Sequence, residues 1–371
     1  MAPTLLPATT GPYTVGCRRI FLTDTSRPDP YSNAATRQVP IIAWYPTSTS
    51  GPVSKYLSNT DNLDGQMALA LTNGLDGRMC NNFFGSVSCF GVNVASTMHP
   101  NIRSRDTRAV LNGAVRTDIG LLPVVLFSPG FGLPGHHSAI LAQELASHGY
   151  LVLTMTHMWE AIVTELASSV AGQNTSAAAN QKSISTRVAD SRFILNQLPT
   201  LPNGIGAQAD VNSIAMAGHS YGGYTSLETA YHDARVKAVA VLDGTAGFAN
   251  TENHAQDNGI QAPVMLLSGD VIATDNYTVG AEHASWNTYA ATNHGDLYRF
   301  EVTGTRHYAF NDVGLLASAQ KQPDLCGPIA PARAMEIHPR FVRAFLDTHI
   351  KGNPDPILTL PASGYPEVTA I

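Results

Sequence analysis

The chain has 371 residues, with 22 Lys+Arg against 28 Asp+Glu, a formal charge of −6, 44% hydrophobic residues and only 13% charged. That hydrophobicity with so few charges excludes a disordered chain, and the negative balance excludes the clustered basic grip on a phosphate backbone that nucleic-acid binding requires. No run of 18 apolar residues occurs, so no transmembrane segment is predicted.

The first residues, Met1 to Pro12, carry three prolines and lack a basic segment followed by an apolar one, so they do not read as a signal peptide. The expectation is a cytoplasmic protein, or a secreted one whose leader lies outside this sequence. Scarce charge, and only five Lys among the 22 basic residues, lean towards the extracellular side. Cys17, Cys80, Cys89 and Cys326 form no C-x-x-C pair of the zinc or redox type. Cys80 and Cys89 lie close enough for a disulfide in a loop-like stretch, with unpaired thiols the equal alternative. The sequons at Asn174 and Asn276 would carry glycans in a secreted chain.

Short apolar runs alternate with helical stretches, the pattern of βαβ units, so the fold class is α/β with a mostly parallel central sheet flanked by helices. Strands are predicted at about 13–23 and 38–46, then at Leu122 to Phe127 and Tyr150 to Met155. A helix from His136 to His148 places Ile140, Leu141 and Leu145 on one face, and another from Gln181 to Leu198 runs through Val188, Phe193 and Ile194. Further strands follow at Ser213 to Ala217, Val236 to Leu242, Pro263 to Leu267 and Leu297 to Val302, then a last helix at Ala334 to His349. Residues 48–115 have no strong period and read as a long irregular excursion. Residues 158–178, with the polar run Ala167 to Asn180, read as a loop or lid insertion. Neither has the size of a second domain and no repeat is found, so residues 1–371 are predicted to form one domain with insertions.

The chemistry concentrates in Gly218-His219-Ser220-Tyr221-Gly222-Gly223, between an apolar strand and a helix running through Leu227 to Tyr231. A G-x-S-x-G in that context is the nucleophile elbow of an α/β-hydrolase fold: the turn is too tight for side chains at the flanking positions and pushes the Ser hydroxyl out. A serine at its normal pKa needs a His to take its proton and a carboxylate to orient that His, in the chain order Ser, acid, His. His307 follows the last predicted strand, where this fold presents its base. His232, His254, His283 and His294 read as surface residues, and His338 and His349 belong to the last helix. Asp243 and Asp270 both end predicted strands on the edge where open α/β sheets hold their sites, and spacing does not separate them. The oxyanion would be met by the N–H groups of Tyr221, after the Ser, and Phe131, in Ser128-Pro129-Gly130-Phe131-Gly132, since Pro129 has none. Met158 and Trp159, with Phe131, are candidates for an apolar acyl or alcohol pocket.

Phe127-Ser128-x-Gly130-x-Gly132, Leu145-Ala146-Ser147-His148-Gly149-Tyr150, the Ser220 elbow and Leu242-Asp243 resemble the platelet-activating factor acetylhydrolase family, plasma and intracellular type II group. Gly11-Pro12-Tyr13-Thr14-Val15-Gly16-Cys17 and Trp44-Tyr45-Pro46 are similar too, so the likeness covers most of the chain. The resemblance implies Asp243 as the acid, whereas a cutinase-like or polyesterase arrangement would select Asp270. It implies a serine carboxylester hydrolase with a Ser220, His307 and Asp243 triad, a small-molecule or lipid-like ester substrate, and neither metal nor organic cofactor. The chain departs from the family at Pro129, where a His is usual, and Gln66 to Gly91 lacks the aromatic-rich amphipathic surface of the plasma enzyme. Acyl transfer, lactonisation or cyclisation by the same triad, and a non-catalytic binding module, are the other expectations.

Overall fold

The near-continuous apolar runs at 122–127, 150–155, 213–217, 236–242 and 263–267 suit strands buried on both faces, and they lie side by side in one sheet. The computed structural model describes residues 6–56, 105–161, 177–270, 279–318 and 326–371. The strands are β1 (Val15–Asp24), β2 (Arg37–Pro46), β3 (Val53–Lys55), β4 (Asp106–Leu111), β5 (Leu122–Ser128), β6 (Leu151–Met155), β7 (Ala209–His219), β8 (Val236–Leu242), β9 (Val264–Gly269), β10 (Leu297–Val302) and β11 (Val368–Ala370). The principal helices are α1 (Ala139–Ser147), α2 (Ala177–Gln197), α3 (Tyr221–His232), α4 (His254–Asn258), α5 (Val279–Thr292), α6 (Asp312–Ser318) and α7 (Pro331–His349).

Strand order in the sheet is β11-β10-β9-β8-β7-β5-β6-β2-β1-β4-β3. The stretch from β10 to β6 is parallel throughout, with Phe127 opposite Ala217 and Gly218 opposite Val241 in register. Antiparallel pairs, β10 with β11, β6 with β2, β2 with β1 and β4 with β3, lie outside this parallel block. Alternate side chains of each central strand point to opposite faces. Val125 and Phe127 of β5 and Ala238, Ala240 and Leu242 of β8 pack with α1 and α7 through Leu141, Leu145, Phe341 and Phe345. Val124 and Leu126 of β5 and Val239 and Val241 of β8 face Ile194 and Leu195 of α2, Leu227 of α3 and Trp286 of α5. Helices therefore cover both faces, as a mostly parallel sheet needs.

Several elements differ from the sequence expectations. The helix expected from His136 begins as a 3-10 turn, Gly135–Ser138, and becomes α-helical at Ala139. There the Asp312 carboxyl accepts the Ala139 and Ile140 N–H groups at 2.9 and 3.2 Å, meeting first-turn amides with no intrahelical partner. The excursion at 48–115 is bounded by β3 and β4, which pair with each other, so its ends are strands; 57–104 lie outside the described residues. The expected lid ends in helix, because α2 starts at Ala177. Cys80, Cys89, Asn174 and Asn276 also lie outside the described residues, whereas Cys17 and Cys326 are buried. Short β3, β4 and β11, and helix α5 with no marked apolar face, escape a local reading, because their stability comes from distant partners.

Leu126 is fully buried between β6 and β7. Leu126→Ala is expected to lower unfolding free energy by about 2–5 kcal/mol in a urea titration, and a cost under about 1 kcal/mol would contradict this core assignment.

Candidate active site

β7 ends at His219 and α3 begins at Tyr221, so Ser220 alone makes the turn, with φ 57 and ψ −127. The glycines on either side are a steric requirement. A Cβ on Gly218 would stand 2.1 Å from the Gly222 carbonyl oxygen, and one on Gly222 would stand 2.0 Å from the Ser128 oxygen. The turn is thus packed directly on the loop that leaves β5. In that loop a Cβ on Gly130 would lie 3.3 Å from Ser220 Cβ. The Ser220 N–H donates to the Leu242 oxygen at 2.8 Å, tying the exit of β7 to the exit of β8.

Asp243, the next residue after β8, takes φ 46 and is 4% exposed. His307 opens a 3-10 turn, His307–Phe310, after β10. Their side chains meet across 64 residues of sequence: His307 Nδ1 donates to Asp243 Oδ2 at 2.5 Å, and the Gly269 N–H donates to Asp243 Oδ1 at 2.8 Å. Burial acts to raise the Asp243 carboxyl, but the His307 hydrogen bond and charge and the Gly269 N–H outweigh it and hold it below its ordinary value. Glu282 of α5, 1% exposed, is pushed well above the usual carboxyl range by burial and by the charge of Asp243. A second negative charge beside Asp243 is thereby disfavoured.

His219 positions the His307 turn. Its Nε2–H donates to the His307 carbonyl at 2.9 Å, its Nδ1 accepts from Asn311 Nδ2 at 3.3 Å, and the two imidazole rings lie 4.5 Å apart. Burial, with the adjacent His307, lowers His219 to about 3. These contacts fix a neutral, Nε2-protonated imidazole.

A buried polar network behind the Ser128 to Phe131 loop has no local sequence signal. Arg187 of α2, 1% exposed, donates from Nη1 to the Pro129 carbonyl at 2.9 Å and from Nε to Glu160 at 2.6 Å. Its guanidinium lies 4.9 Å from the Tyr221 ring centroid and 5.9 Å from that of Phe131. One turn along α2, Asp190 accepts from Arg37 Nη2 at 2.9 Å and from His157 Nδ1 at 3.0 Å. His157 Nε2 then accepts from the Ser128 hydroxyl at 3.0 Å. Arg187 and Asp190 share one helical face, a spacing that in sequence resembles a solvated surface.

The other candidates fall as follows. Phe131 and Tyr221 are brought together, ring centroids 5.9 Å apart, beside Ser220. Asp270 accepts the Gly304 N–H at 2.6 Å, in the turn that leads to His307, while Asp243 holds the imidazole. The Met158 carbonyl accepts from Arg37 and the Trp159 indole donates to Asp29, so their described polar contacts are with the Arg37 cluster. A cavity of about 360 Å³ between residues 7–10, α1 and α7 is lined by none of Ser220, Asp243 and His307.

A serine turn between strand and helix, with an acid and a His at the ends of neighbouring parallel strands in a helix-covered sheet, defines the α/β-hydrolase class. Over its full length the chain superposes on the whole of a ferulic acid esterase from Streptomyces cinnamoneus, with a TM-score of 0.75 and 25% identity. The family model described as platelet-activating factor acetylhydrolase, isoform II, matches residues 81–198 and 180–355, and the chain belongs to that family. A curated Arthroderma benhamiae relative, named as a probable 1-alkyl-2-acetylglycerophosphocholine esterase, is 26% identical over 263 residues. That match spans 67% of this chain and 65% of the relative's length.

Two outcomes follow from these electrostatics. In histidine ring NMR, His219 is expected to keep the neutral Nε2–H form from neutral pH down towards 3. The unfolded imidazole binds its proton near pH 6.5, so this site's contribution to stability is complete above that value and declines as pH falls from 6.5 towards 3. An imidazolium signal at pH 5 would contradict it. Arg187→Met leaves Glu160 buried without its cation and is expected to cost about 3–5 kcal/mol in chemical denaturation, much of it recovered by adding Glu160→Gln. An unchanged midpoint in Arg187→Met would refute that account of the pair.

Proposed function

We propose that the chain is a serine carboxylester hydrolase acting on short-chain acyl esters, with Ser220 as nucleophile, His307 as general base and acid, and Asp243 as the orienting carboxylate. The observation that carries this reading is the 2.5 Å contact between His307 Nδ1 and Asp243 Oδ2, beside the strained Ser220 turn. It leaves Nε2 as the nitrogen that accepts the Ser220 proton while the oxygen attacks the ester carbonyl carbon. The N–H groups of Tyr221, first in α3, and Phe131 receive the negative charge that develops on the carbonyl oxygen. The imidazolium then protonates the departing alcohol, and water attacks the acyl-enzyme with His307 again taking a proton. A neutral His219 adds no positive charge next to the imidazolium, which would oppose its formation.

Support for an apolar ester comes from the aromatic cluster against the elbow, where Phe131 and Phe248 lie 5.9 and 5.3 Å from the Tyr221 ring. Family membership and the esterase names of both relatives point the same way. The Gly304 bond of Asp270 favours Asp243 as the acid.

Hydrolysis of p-nitrophenyl esters from acetyl to long acyl chains tests the reading. Ser220→Ala is expected to lower kcat by about 10⁶ and Asp243→Asn by about 10⁴, with the highest kcat/KM at the short end. Asp270→Asn is expected to retain activity within about tenfold. Wild-type rates in Ser220→Ala would end the proposal, and a loss confined to Asp270→Asn would move the acid one strand along.

A further inference from the structure

At the far end of α3, Glu228 and His232 lie four residues apart and so share one face of the helix. The chain returns to that face at His254, the first residue of α4. Glu228 Oε2 lies 3.1 Å from His254 Nδ1 and 3.9 Å from His232 Nε2. One donor atom of each of the three residues falls within 4.8 Å of the other two. Metal bonds of about 2.0–2.1 Å at tetrahedral angles set neighbouring donors roughly 3.3–3.4 Å apart, a value that the two separations straddle.

The electrostatics favour a cation. Glu228 is 2% exposed, and its other oxygen accepts the Ala255 N–H at 2.8 Å. Among the described residues no Lys or Arg pairs with it, and its neighbours are the two imidazoles. A buried carboxylate without a cation is costly, and a bound metal ion removes that cost. The two imidazoles keep about a third of their side-chain surface, 35% each, so the cluster is reached from solvent. The second nitrogen of His254 lies 3.8 Å from Glu252 Oε2, an exposed carboxylate that adds negative charge at the rim of the cluster.

We propose that Glu228, His232 and His254 form a Zn²⁺ site, with water completing a four-coordinate shell. Two imidazoles and one carboxylate are a donor set that zinc accepts, and a solvent-facing fourth position suits water. The site lies about 12–18 Å along α3 from Ser220 and joins the end of that helix to the segment that begins at Asp243. The metal is therefore a clip between two segments that present the active site, and takes no part in ester cleavage.

Calorimetric titration of EDTA-treated full-length protein with Zn²⁺ alone tests this. One ion is expected to bind per chain with micromolar or tighter affinity and to raise Tm by a few degrees, and Co²⁺ is expected to give the visible bands of a tetrahedral complex. His232→Ala and His254→Ala should each weaken binding by at least the roughly 10–100-fold that loss of a supporting group costs. The double variant should lose the binding heat and the Tm shift, while its ester hydrolysis stays at the wild-type level. Absence of one-to-one binding in the wild type, or undiminished binding in the double variant, would overturn the site.

Discussion

The backbone at Ser220 is the constraint on which the rest of the site depends. Left-handed φ at a residue with a side chain costs about 1–3 kcal/mol, and it persists only where the surroundings over-determine it. Here the surroundings are backbone. Gly222 packs on the Ser128 and Pro129 carbonyls, Gly218 packs on Gly222, and Gly244 packs on the Ser220 carbonyl. The Ser220 N–H binds Leu242, and the Asp243 N–H binds Leu267 at 2.7 Å. These bonds join the exits of β7, β8 and β9 in strand order, so the turn carrying Ser220 and the residue that follows β8 share one edge of the sheet. His307 reaches that edge from β10, and its turn is fastened to the start of α1 through Asp312.

Buried charge supplies the second layer of order. Arg37, Asp190, His157, Ser128, Arg187 and Glu160 form a chain of hydrogen bonds from β2 to the loop after β5. Burial acts to raise Asp190, but the Arg37 charge and the His157 and Arg37 hydrogen bonds hold it well below the carboxylate range, so its charge is fixed. Such pairs add little net stability against well-packed apolar residues, yet losing one partner leaves the other expensively exposed to a low-dielectric interior. Their effect is to fix the height of Pro129, and with it the placement of Phe131 against Tyr221.

What was legible in the sequence was local or periodic. The elbow could be read because Gly218, Ser220 and Gly222 answer a steric demand within five residues, and the central strands because their apolar runs are continuous. His307 was readable from its place after the last parallel strand. The choice between Asp243 and Asp270 was not local, since each ends a strand beside a glycine; their different hydrogen bonds, to an imidazole and to a backbone amide, exist only in the folded chain. The same holds for Arg187 and Asp190, whose ion-pair partners lie 27 to 163 residues away, and for His232 and His254, which read as surface residues until α3 and α4 bring them to one carboxylate. Met158 and Trp159 read in the sequence as apolar pocket residues, whereas their polar groups bind within the Arg37 cluster.

The central claim is that Ser220 carries the acyl group and that Asp243, through His307, makes it reactive. Acid-quenched single turnover with an acetyl ester, followed by mass spectrometry of the peptides, addresses it most directly. The account predicts an acetyl adduct on the peptide containing Ser220 that forms rapidly in wild type and in Asp270→Asn and far more slowly in Asp243→Asn. An adduct on another residue, or equal rates in wild type and Asp243→Asn, would contradict it.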